Sequence, residues 1–362
     1  GRRAGTGTLG SYEYCWESRK KGKIGKVLGW IPLLGSLGIA IGYSIIIGWV
    51  LRFLAGSVTN TVLTEDSAEF FGQVTANMKN LPWHVLVIAI TVIILITGAV
   101  NQIERANKIL MPLFFILFAI LAVRVFFLPG SHEGYRFLFV PKWEALAKVD
   151  TWVMAMGQAF FSLSITGSGM IVYGSYLSKK EDIPKSSIQT AVFDTIAAML
   201  AALAIMPAVF AFGIEPSAGP SLMFITIPNI FKQMPMGRLF AVIFFLSVCF
   251  AGITSLINMF EAVIESWQQK FSLQRTKAVA LCGGVALAVG LLLEEESKVG
   301  HWMDFITIII VPFGAVLGAV SIYYVLGFDK IREELEEGRK KPLPKAFKVA
   351  AKYLYVPLAV IV

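Results

Sequence analysis

The chain has 362 residues, 56% hydrophobic and only 15% charged, with a net charge of +8 and a mean hydropathy of +0.70. A soluble domain sits nearer half apolar and a quarter charged, which excludes that class. Three dispersed cysteines (Cys15, Cys249, Cys282) and three histidines (His84, His132, His301) suggest neither a disulfide framework nor a metal site.

Apolar runs of about 20 residues, enough to span a hydrocarbon core of roughly 30 Å, recur along the whole length. The predicted spans are 28–54, 83–101, 107–129, 151–177, 187–212, 237–268, 275–293 and 300–326, with another opening over 350–362. In the first, Tyr43 of GYSIIIGW needs a hydroxyl partner: another helix, the interfacial belt or a ligand. The span 151–177 is broken in its middle. Ser162-Leu163-Ser164-Ile165-Thr166-Gly167-Ser168-Gly169 puts two glycines and four hydroxyls where lipid demands continuous helix. Each Gly weakens a helix by about 1 kcal/mol relative to Ala, and a carbonyl freed in hydrocarbon costs several more unless something binds it. This break is the best single pointer to a binding site, and Gln158 and Tyr176 flank it.

In the next span, Asp194 is the sole charged residue of Ile188–Phe212. A central Asp costs about 2.5–3.5 kcal/mol on insertion scales, so it should face a cavity or a partner. Proton relay, cation ligand, substrate counter-ion and structural hydrogen bond all remain open. Further on, Thr254 and Ser255 of FAGITS (250–255) can bond back to the preceding turn. With the Ala251 carbonyl they also offer hard neutral oxygens suited to a small monovalent cation. Asp304 is a solvated end charge or half of a gate, and Ile331–Lys341 (IREELEEGRKK) reads as a solvated helix or loop.

With the N-terminal segment inside, the inside loops hold 23 of the 32 Lys and Arg, against 7 in the outside loops. This asymmetry fixes the orientation and explains the basic charge without nucleic acid. Residues 1–26 and 329–345 are then cytoplasmic, in a multi-pass protein of the plasma membrane. The chain starts without Met and stops inside an apolar run, so both ends read as cut, and no signal peptide is recognised.

GQAFFSL at 157–163 leading to Tyr173-Gly174-Ser175-Tyr176, FAGITS at 250–255, FITIPNIF at 224–231 and IERANKILMP at 103–112 stand in a telling order. Together they resemble the neurotransmitter:sodium symporter family, in particular its bacterial amino-acid transporters, and the likeness runs through essentially the whole chain. It implies an all-α polytopic membrane protein with the LeuT-type inverted-repeat fold. One truncated transporter domain would cover 1–362: helices three to ten and the start of eleven, without the first two helices and the C-terminal end. The implied activity is sodium-coupled symport of an amino acid by alternating access, not enzyme catalysis. Sodium is the transported ion, with no organic cofactor; an amino acid and membrane lipid are partners, and a homodimer is allowed.

Carried over position by position, Ser162 and Asp194 look like part of the first sodium site, and Ala251, Thr254 and Ser255 like part of the second. Tyr43 would bind the substrate carboxylate, and carbonyls near Phe161 and Ser164 would accept from its amine. Phe161, Ile39 and Met259 would line the side-chain pocket, with Gly167, Ser168 and Ser255 also at the substrate. Gln158, Asp304 and Tyr176 resemble gate residues. The chain departs from the family at three of these positions. Most members have Asn where this chain has Asp194; a fixed carboxylate can replace a bound chloride, so transport is expected to be chloride-independent. Gly167 stands where a bulky residue is common, which favours a large, hydrophobic or aromatic substrate. Gln269 occupies the place of a gate Asp, leaving Glu265 one turn earlier as the candidate substitute. Two rivals are a same-fold carrier of another solute and a receptor that binds an amino acid without moving it.

Overall fold

The computed structural model describes residues 1–98, 100–165, 168–216, 219–220, 222–339 and 341–361, and every regular element among them is helical. Helix α1 (Thr8–Glu17) buries Thr8, Leu9, Ser11, Tyr12 and Cys15, a one-sided stripe of helical period. Helix α2 (Trp30–Thr59) is apolar on most sides and correspondingly largely buried. Its 30 residues reach about 45 Å at 1.5 Å per residue. Helix α3 (Leu81–Thr97) starts with Pro82 in its first turn, where no amide is needed. It stops at Gly98, whose φ of +70° suits the left-handed position after a helix.

Helix α4 (Val100–Phe126) precedes the broken pair α5 (Val149–Ser162) and α6 (Gly169–Tyr176). Asp182 caps α7 (Ile183–Ala211) by accepting the Lys185 amide at 3.1 Å. Then come α8 (Gly237–Phe271), α9 (Arg275–Gly290) and α10 (Glu296–Glu336), the last carrying π turns at Phe305–Ile310 and Ser321–Gly327. Among the described residues, five stretches are long and apolar enough to cross a membrane: 22–59, 108–126, 183–211, 237–271 and 296–336. The segments read at 83–101 and 275–293 form the shorter α3 and α9.

Helices α2 and α8 run together through the core. Small residues let neighbours close on them, as membrane helices require. A Cβ on Gly252 of α8 would stand 3.0 Å from Ile47 of α2, and one on Gly38 of α2 would stand 2.6 Å from Ile306 of α10. The Trp302 indole of α10 donates to the Gly38 carbonyl at 2.8 Å. A buried aromatic knot of Trp49, Phe53, Phe71 and Phe224 packs beside this core, with ring centroids 4.9–6.4 Å apart. Phe224 opens the FITIPNIF segment, so that motif helps to build this knot.

At the other end, α1 packs on α10: Trp16 donates to Ser321 at 3.0 Å and Tyr12 to the Gly314 carbonyl at 3.3 Å. The stretch IREELEEGRKK differs from its solvated reading. Its first half continues α10, and Glu334 is largely buried in an ion pair with Arg2.

Candidate functional site at the broken helix

Helix α5 ends in a Schellman motif. Ser164 takes the left-handed position at φ +53°; its amide donates to Phe161 O at 3.0 Å, and the Ile165 amide to Phe160 O at 2.9 Å. Ile165 packs on the buried Phe160, the apolar contact that accompanies this motif. The break therefore closes part of its own backbone. Helix α6 restarts at Gly169, with the Ser168 carbonyl accepting from Ile171 and Val172, both at 3.1 Å. Thr166 and Gly167 lie outside the described residues, so the expectation of a roomier subsite at Gly167 is not addressed.

The last residue of α5 meets the lone charge of α7. The Ser162 hydroxyl stands 2.6 Å from each carboxylate oxygen of half-buried Asp194, donating to one at a time. Ser168 takes another partner: fully buried, it pairs with the Thr8 hydroxyl of α1 at 3.1 Å. On α8, the Thr254 and Ser255 hydroxyls both donate to the Ala251 carbonyl, at 2.8 and 3.0 Å. This is the back-bonding arrangement, which gathers the two hydroxyls and the Ala251 carbonyl in one turn of α8.

Tyr43 of α2 faces Ser255 of α8 across the helix pair. Beside it, Ile39, Phe161 and Met259 join one apolar cluster with Ile306 and Val311 of α10. The wall from α10 has no signal in the sequence beyond an apolar run; the nearest hint is the spacing Gly35, Gly38, Gly42 on the facing side of α2. Gln158 and Asp304 are exposed and share no hydrogen bond among the described residues. Tyr176 is exposed near the paired Glu261 and Arg275, whose contacts are 3.0 and 2.8 Å. Glu265, the candidate inner-gate substitute, accepts the Gly7 amide at 3.0 Å and a bond from Gln269, so it holds the start of α1.

A family model described as the sodium:neurotransmitter symporter family matches residues 61–361. YhdH, an uncharacterized sodium-dependent transporter of Bacillus subtilis, is 31% identical over 353 residues, 92% of this chain and 78% of that protein. An uncharacterized sodium-dependent transporter of Haemophilus influenzae is 35% identical over 269 residues, 72% of this chain and 58% of its own length. The crystal structure of MhsT in complex with L-phenylalanine is similar over 100% of this chain and 85% of that one, with a TM-score of 0.91 and 29% identity. The LeuT-type helical membrane fold implied by the motifs is thus the fold observed. From the match over most of its length and this shared fold, the chain belongs to the sodium:neurotransmitter symporter family, a family of transporters rather than enzymes.

Proposed function

We propose that this protein carries an amino acid with a hydrophobic or aromatic side chain into the cell together with sodium, by alternating access and without chloride. The observation that carries this reading is the Ser162–Asp194 contact at the helix break, beside the Tyr43–Ser255 pair and the Ile39/Phe161/Met259 cluster. A carboxylate and hydroxyls are hard oxygen donors of the kind alkali cations take. An apolar wall with a few convergent polar groups is the usual form of a small-molecule site. The relatives named sodium-dependent transporters and the phenylalanine bound to MhsT support the same assignment. Asp194 supplies the negative charge next to sodium that other members draw from chloride.

Uptake of labelled phenylalanine or leucine into proteoliposomes tests it. Accumulation is expected under an inward sodium gradient, to be abolished with choline and unchanged when gluconate replaces chloride. Asp194→Ala should raise the sodium concentration for half-maximal uptake at least tenfold, about 1.4 kcal/mol. Equal uptake in sodium and choline would refute coupling, and collapse in gluconate would refute chloride independence. Competition by unlabelled amino acids and other solutes separates this carrier from one for another class of solute.

A further inference from the structure

Away from the break, a polar cage is sealed in the apolar interior. His84 of α3, Asn80 just before it, Ser44 of α2 and Glu294 after α9 are all 0–2% exposed. His84 Nδ1 stands 2.5 Å from Glu294 Oε1, and its Nε2 stands 2.9 Å from Ser44 Oγ. The Ser44 hydroxyl lies 2.7 Å from the Ile41 carbonyl. Asn80 Nδ2 donates to Glu294 Oε2 at 3.1 Å and to the Ile45 carbonyl at 3.2 Å, leaving only its Oδ1 without a partner. Two glycines make the room: a Cβ on Gly290 would stand 2.4 Å from the His84 ring, and one on Gly48 would stand 2.8 Å from Asn80 Oδ1.

Hydrogens and buried charge together decide how many protons this cage holds. Ser44 has one proton and two acceptors in reach, Ile41 O and His84 Nε2. If Nε2 lacks a hydrogen, Ser44 donates to it and Ile41 O keeps its helical partner, the Ile45 amide, but Glu294 is then an uncompensated buried charge. If Nε2 carries a hydrogen, it donates to Ser44, and Ser44 donates to Ile41 O. A second hydrogen must then lie between Nδ1 and Oε1, because a ring lone pair facing a bare carboxylate at 2.5 Å would repel it. Whichever of the two atoms holds that hydrogen, the cage is neutral overall.

Other charged or titratable groups lie on the same and adjoining elements, and among the described residues none of them hydrogen-bonds the cage. Arg52 of α2 lies over the Phe70 and Trp83 rings at 5.7 and 5.5 Å. Tyr43 faces Ser255, Cys282 of α9 is buried without a disulfide, and Glu295 pairs with Lys298 at 3.1 Å on the surface. Lys79 is exposed and Glu296 is half-buried.

We infer that the His84–Glu294 cage is a buried proton-binding site whose resident proton keeps Ser44 and Asn80 bonded to α2 and so positions the turn that carries Tyr43. The positioning role rests on the proposed function; the proton does not.

Nitrogen-15 NMR on the whole protein, labelled at histidine, tests the proton. In a His132→Gln/His301→Gln background only His84 reports, since the other two histidines are exposed. At pH 7.5 Nε2 should carry a hydrogen and Nδ1 should show one that is bonded or shared; an Nε2 without hydrogen overturns the proposal. Sodium-dependent uptake tests positioning. His84→Gln and Glu294→Gln should each raise half-saturating sodium about tenfold or more, and the double variant, a neutral amide pair, should return to within about threefold of the parent. Unchanged sodium dependence in the single variants, or no recovery in a folded double variant, overturns positioning. A parent chain without sodium-driven uptake would count against the proposed function, while the NMR result on the same protein still decides the proton.

Discussion

Ser164 occupies a conformation that most side chains avoid. At φ +53° it fills the left-handed position where glycine is usual, because the break needs that geometry to close the Phe160 and Phe161 carbonyls. A left-handed L-residue is disfavoured by about 1–2 kcal/mol, more when branched at Cβ. Ser164→Gly should therefore keep the stability of the parent to within about 1 kcal/mol. Ser164→Val should lower it by about 1–2 kcal/mol. Thermal unfolding of the detergent-solubilised protein measures both, and a valine variant as stable as the glycine one would show that the Schellman closure does not constrain this turn. The hydrogen bond from Ser162 to Asp194 sits directly before this turn, so the same strained closure sets where the carboxylate's partner stands.

Helix α1 is docked by specific contacts at both ends: Glu265 and Ser168 hold its start, and Trp16 reaches Ser321 near its finish. Burial pushes the Cys15 thiol from 9.0 up to about 11. Only the thiolate reacts, so maleimide labelling at pH 8 should run about 100-fold slower than at an unperturbed thiol. A Cβ at Gly7 would fall 1.5 Å from Glu265 Oε2, so Gly7→Ala should loosen α1 and speed that labelling. Equal rates in the two proteins, followed by mass, would mean that α1 is not held at this end. The α2–α10 contact has the same small-residue logic. Gly38→Val should cost about 1–3 kcal/mol by overpacking against Ile306, read as a lower unfolding temperature.

For the whole molecule, the proposed symport requires that sodium bind the folded chain. At a sodium concentration 100 times its dissociation constant, binding would add about 2.7 kcal/mol of stability. The unfolding temperature should rise with sodium and not with potassium or choline at equal ionic strength; identical curves in all three would argue against a built sodium site. Much of this architecture was legible before any coordinates. Hydrogen bonds within a helix are local, so apolar runs mark segments, and glycines with hydroxyls mark the break. Asp194 stood out because a charge among apolar residues is costly in lipid. That Ser162 would share its site followed from family resemblance, not from chemistry visible in the chain. Contacts between helices were out of reach: Tyr43 with Ser255, the α10 wall of the pocket, Thr8 with Ser168, and His84 with Glu294. Three scattered histidines carried no pattern at all, yet one lies in the most enclosed polar cage described. The sequence by itself determined where the long apolar helices run, where one must break and which charge is out of place. Only the tertiary structure decided which faces meet, because helix rotation and register are set by close packing at glycines such as Gly38, Gly48 and Gly290, and no local period encodes it.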